Sequence, residues 1–248
     1  MTARRVFAAI PVLLLSSSGA AFAQTVDLQT LFPAGDASVS GRIVQLLVVM
    51  TVLSVAPGLL MMVTSFARFA IALSFLRVGL GLQTTPNNLV MVSLALFMTL
   101  FVMAPTFQKA WDEGVKPMVE NQISQQDGYT RTTAPFRAFM QANVRDKDLA
   151  LFQEMSSERF GEQNNAESDD LRVLIPAFMI SELRRGFEIG FLITLPFLVI
   201  DLVVATIMTA MGMMMMPPTV VSLPLKVLFF VLVDGWSLLV GALVKSFV

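Results

Sequence analysis

Long apolar stretches separated by polar clusters dominate this chain. The first runs from Ile43 to Val63, about 30 Å if helical, and is interrupted by Pro57 and Gly58. A second, Phe66 to Leu82, carries Arg68 and Arg77, so the pair predicts a bent or hairpin element rather than a straight rod. Gly79, Gly81, Thr84, Thr85, Pro86, Asn87 and Asn88 form a breaker cluster, and Leu89 to Pro105 is apolar again, a second predicted span. From Thr106 to Asp170 the pattern changes, with twelve of the eighteen acids and seven of the seventeen bases lying there. Helix signals prevail in this polar region: Asp146 as an N-cap before Leu149, Leu151, Phe152 and Met155, and Thr133-Ala134-Pro135 before Phe136, Phe139 and Met140. Gly161 to Asp170 reads as a solvated loop. Apolar character returns from Leu171 to Met211, broken by Ser181, Glu182, Arg184, Arg185 and Glu188, with the longest span over Phe187 to Met211. Gly212 to Pro218 makes a tight loop and Ser222 to Val244 the last span.

The expected fold is therefore all-α, a membrane protein of helical hairpins around one helical polar domain. Composition agrees: 55% of residues are hydrophobic, 14% are charged, and mean hydropathy is +0.72. With no Cys and no His, disulfides, thiolate chemistry, the usual zinc sites and His-based triads are excluded. The net charge of −1 gives no basis for nucleic-acid binding. No Gly-rich phosphate loop is present, so no cofactor is expected and no enzyme activity is read.

Arg4 and Arg5, the ten-residue apolar run Val6 to Leu15 and the triplet Ala21-Phe22-Ala23 predict a secretory signal over residues 1–23, cleaved after Ala23. Residues 24–42 then form a polar segment, 43–105 the N-terminal apolar helices, 106–170 the polar domain and 171–248 the C-terminal apolar hairpin. With the mature N-terminus outside, the first run enters the cytoplasm, Arg68 and Arg77 lie near the inner face, and the polar domain is periplasmic.

Ionisable residues in apolar helices require partners or a wet face. Here they are Arg68, Arg77, Glu182, Arg184, Arg185, Glu188, Asp201, Lys226 and Asp234. Arg68 and Arg77 are nine residues apart, roughly half a revolution, and point to opposite sides of one helix. Glu182 and Arg185 are spaced for an i,i+3 pair, leaving Arg184 for another subunit. Ser237 and Gly241 suggest close packing of the last helix. Asp201 and Asp234 lack the Gly-x-Gly-Asp setting of an intramembrane aspartyl pair, and no acidic ring or filter sequence supports an ion or proton channel. The most unusual string is Met213-Met214-Met215-Met216, bounded by Gly212 and by Pro217 and Pro218. Gly suits a helix C-cap and the prolines stop continuation, so four flexible thioethers fall on a loop, open to apolar packing, interfacial anchoring or a conforming seal.

Several ordered strings resemble the FliP family: Leu53-Ser54-Val55-Ala56-Pro57-Gly58 with Thr64-Ser65-Phe66 and Arg68, Gln83-Thr84-Thr85-Pro86-Asn87-Asn88, and Asp146-Lys147-Asp148-Leu149-Ala150-Leu151-Phe152. Further along stand Pro176-Ala177-Phe178 with Ser181-Glu182-Leu183, Leu195 to Asp201, Gly212 to Pro218, and Val233-Asp234-Gly235-Trp236. The resemblance implies a core subunit of the flagellar type III protein-export gate in the bacterial inner membrane and flagellar basal body. It implies a pentameric ring of this chain completed by FliR and surrounded by FliQ, working with FlhA, FlhB and the assembly factor FliO on unfolded export substrates. It also implies that Met213, Met214, Met215 and Met216 form a gasket around the pore. Injectisome secretion relatives share these strings; the signal peptide favours the flagellar branch.

Overall fold

The computed structural model describes residues 39–82, 84–160, 170–213 and 215–247. The signal-peptide reading, most of the polar segment before residue 43 and most of the Gly161–Asp170 loop lie outside the described residues. All regular elements among the described residues are helical: α1 (Val39–Met62), α2 (Phe66–Gly79), α3 (Asn88–Ala110), α4 (Lys116–Val119), α5 (Gln125–Asn143), α6 (Asp146–Phe160), α7 (Leu171–Ala210), α8 (Thr219–Leu232) and α9 (Gly235–Lys245). Leu53–Val248 forms one compact unit.

Its centre is the packing of α2 along α7, made close by glycine. A Cβ on Gly190 would stand 2.7 Å from the Phe75 ring, one on Gly186 3.1 Å from Ile71 Cβ, and one on Gly79 2.8 Å from Thr194 Cγ2. These small residues let the two backbones approach, as the Ser237/Gly241 pattern was expected to do on the last helix. Gly241 does not: among the described residues nothing lies within 4 Å of its Cβ position. The main core joins Phe69, Leu73 and Leu76 of α2 to Ala95 and Met98 of α3, Phe197 of α7, Phe230 of α8 and Leu243 of α9. A second cluster, Met140, Leu174 and Phe178, fastens α5 to α7.

Several expected breaks fall elsewhere. α1 runs through Pro57 and Gly58, and the chain turns at residues 63–65 instead. α3 runs through Pro105 and continues by the π turn Trp111–Val115 into α4, so one rod covers Asn88–Val119. α5 passes through Pro135 and starts at Ser124, whose Oγ accepts from the Asp127 N–H at 3.1 Å. Asp146 is the first residue of α6 rather than its cap, and the Arg145 carbonyl accepts from the Asp148 and Leu149 N–H groups. α7 is a single helix of 40 residues through Pro176, Pro196 and the whole Ser181–Glu188 polar group. The last expected span is broken: α8 and α9 meet at 66° around Asp234, whose φ of +51° is left-handed. Gly235 buries itself there against the Phe230 ring, 2.2 Å from where a Cβ would stand. Among the described residues, two helices are long and apolar enough to cross a membrane, Asn88–Val119 and Leu171–Ala210, or three if the bent α8–α9 pair counts as one span.

Candidate functional site

The methionine loop is built by its ends. α7 closes with Gly212 at φ +77°, the Gly212 N–H reaching Thr209 O at 3.0 Å and the Met213 N–H reaching Met208 O at 3.0 Å. This is the double bond of a Schellman cap, which only a residue at ease in the left-handed region forms without strain. Met216 N–H turns back to Met213 O at 3.4 Å, and Pro217 and Pro218 start α8, the Pro218 carbonyl accepting from Val221 and Ser222. On this turn Met215 is fully exposed, while Met213 and Met216 are exposed by 39% and 47%. Met214 lies outside the described residues.

The buried charges resolve into two fastenings. Arg68 on α2 and Glu182 on α7 are both fully buried. The guanidinium grips the carboxylate at both edges, Nε donating to Oε2 at 2.8 Å and the second bond running from Nη2 to Oε1. Nη1 donates to the Ser246 carbonyl and Oγ, both at 2.9 Å, and Cζ lies 3.5 Å over the Phe247 ring. Arg68 thus gathers α2, α7 and the residues after α9, and its fork geometry is what a Lys cannot supply. Glu182 therefore pairs across helices rather than with Arg185, and Arg184 donates to Glu188 at 2.9 Å on an exposed face of α7. Beside Glu182, Ser181 donates to Asp148 Oδ2 at 2.8 Å and accepts the Arg145 N–H at 3.1 Å, tying α6 to α7.

The second fastening is Lys226 of α8, which donates to Asp201 Oδ2 of α7 at 2.5 Å and to the Gly79 carbonyl at the end of α2 at 3.0 Å. It sits between the methionine loop and the α8–α9 bend. Asp201 is thereby committed to Lys226, and Asp234 forms the bend. Arg77 faces away from Arg68, as half a revolution requires, and donates to Asn88 Oδ1. Ser246, Phe247 and Asp148 carry this architecture without a sequence signal of their own. Isolated charges of opposite sign in apolar stretches, Arg68 with Glu182 and Lys226 with Asp201, were the available clue. Among the described residues no cluster of three metal-ligating side chains occurs.

The FliP family model matches residues 49–243. The flagellar biosynthetic protein FliP of Rhizobium meliloti (strain 1021) is 58% identical over 242 residues, covering 98% of this chain and 99% of that protein. The protein of that name from Agrobacterium fabrum is 58% identical over 94% of this chain and 96% of its own length, and that from Bacillus subtilis 46% identical over 88% and 97%. With the helical architecture and apolar spans they accompany, these matches establish that the chain belongs to the FliP family, flagellar biosynthesis proteins of the type III export apparatus.

Proposed function

We propose that this chain is a ring-forming subunit of the flagellar export gate, lining the channel through which unfolded proteins cross the inner membrane, and that Met213 to Met216 close it. The observation that carries the reading is the exposure of Met213, Met215 and Met216 on a turn hydrogen-bonded at both ends. Large apolar side chains left so exposed on a loop are suited to meet copies of themselves around an axis. Apolar walls disfavour water and ions in a narrow closed pore, and unbranched thioethers repack around a moving polypeptide of varied side chains. FliQ and FliR, with FlhA, FlhB and FliO, are the partners that family membership suggests. The polar helices α5 and α6 belong, on this reading, to the periplasmic side.

Replacing Met213, Met215 and Met216 together with Ala tests the seal. The complex should still purify, because none of the three contributes to the buried core, while membranes carrying it pass small ions and solutes more readily than wild type. Normal assembly with wild-type conductance removes the gasket role and leaves loop packing.

A further inference from the structure

A cleft of about 830 Å³ opens between the end of α2, the segment following it and the start of α8. That is within the size range of small-molecule sites, roughly 300–1,000 Å³. Its lining includes two cations, Arg77 and Lys226, and the hydroxyls of Thr84 and Thr85, with no carboxylate among the lining residues. The Lys226 ammonium gives two of its three hydrogens to Asp201 and Gly79 and reaches to 4.0 Å from the Cβ position of Gly81, also on the cleft wall. Arg77 spends one bond on Asn88; a guanidinium has five donors. The flanks are apolar: Val78 and Val220 line the cleft yet stand 72% and 61% exposed. Cationic and hydroxyl donors between apolar flanks, on a chain with membrane-length helices, match an amphiphile with an anionic head.

We propose that this cleft binds the phosphodiester of an anionic phospholipid, Arg77 and the threonine hydroxyls taking the phosphate while the acyl chains lie along the apolar flank of α8. A zwitterionic headgroup fits less well, since its ammonium would face Arg77, while Lys226 is already paired with Asp201. The site goes beyond the pore reading and rests only on the chain's contact with a membrane.

Native mass spectrometry of the purified full chain, exposed separately to phosphatidylglycerol, phosphatidylethanolamine and inorganic phosphate, tests it. Wild type should retain phosphatidylglycerol about tenfold better than phosphatidylethanolamine, the scale of one charge-assisted contact. Arg77→Gln removes the main donor, and Thr84→Glu sets a repelling carboxylate at an exposed position with little risk to folding. Both should abolish the preference, whereas Asn88→Ala, which keeps the cation, should preserve it. Equal retention of the two lipids by wild type, an unchanged preference in Thr84→Glu, or an Asn88→Ala loss as large as that of Arg77→Gln overturns the site. Displacement of the lipid by millimolar inorganic phosphate overturns the headgroup assignment in favour of free phosphate.

Discussion

At Arg68 one guanidinium does three things: it neutralises Glu182, satisfies the carbonyl and hydroxyl of Ser246, and lies against Phe247. Phe247 in turn packs edge-on to Phe69 and stacks with Phe139, so the cation stands where α2, α5, α7 and the residues after α9 converge. A buried ion pair is weak evidence of stability in itself, because desolvation offsets much of the attraction, but removing one partner strands the other. Arg68→Leu should therefore cost about 3–5 kcal/mol, with the Glu182 carboxylate left alone. Adding Glu182→Leu should restore most of that loss, since two apolar side chains then share the space. Denaturant unfolding of the purified variants in detergent measures both; a double variant as unstable as the single one would show that the pair contributes beyond charge balance. The need for partners was legible in the sequence, because charges at Arg68, Glu182, Asp201 and Lys226 interrupt apolar runs. Which charges meet was not, because Glu182 has Arg185 one helical turn away and only the α2–α7 packing favours the distant partner.

Helices here ignore most of their prolines. Pro57, Pro105, Pro135, Pro176, Pro196 and Pro224 all lie inside helices, although a proline removes one backbone bond and crowds the preceding turn. In the apolar helices, which hold all of these but Pro135, neighbouring helices and side chains take up the freed groups. Local breaker rules therefore misplaced the ends of α1, α3 and α5, yet they located the methionine loop, where Gly212 and two consecutive prolines act together. The π turn Trp111–Val115 had no sequence signal, and it matters for packing: a Cβ on Gly114 would stand 2.3 Å from Thr132 Oγ1 and 2.6 Å from the Thr132 backbone nitrogen. Backbone cannot yield as a side-chain tip does, so Gly114→Ala should destabilise by roughly 1–3 kcal/mol through overpacking. Gly241→Ala is the contrast, because its Cβ meets nothing among the described residues and alanine is the better helix former, so that variant should gain about 0.5–1 kcal/mol. Thermal unfolding of the isolated chain reads both, and a Gly114→Ala variant as stable as wild type would mean that α5 does not seat on the π turn.

On the scale of the whole chain, the unsolved quantity is apolar surface. Only 22% of the apolar window of Leu171–Ala210 and 33% of that of Asn88–Val119 is buried within the chain, so most of these faces need a cover of lipid or protein. Lipid cannot cover all of α7. Its 40 residues make a helix of about 60 Å, while the hydrocarbon core is about 30 Å thick. If the stretch from Phe191 to Ala210 occupies hydrocarbon, Ile180, Leu183 and Phe187, exposed by 40%, 39% and 54%, stand outside it beside the Arg184–Glu188 pair. Apolar residues there are better explained by protein neighbours, such as the other copies in the ring proposed above. Because the chain contains no native Cys, single Cys substitutions at Ile180 and Phe187 can report this without background. In the chain expressed without partners both positions should react with a thiol reagent, and in the assembled gate the reaction should fall by about tenfold or more, as burial in an interface blocks access. A bilayer-soluble photolabel should mark neither position once the complex has formed. Strong photolabelling of Phe187 in the assembled complex would place that part of α7 against acyl chains, and a protein interface there would have to be abandoned for an arrangement in which the helix lies tilted in the membrane along its length.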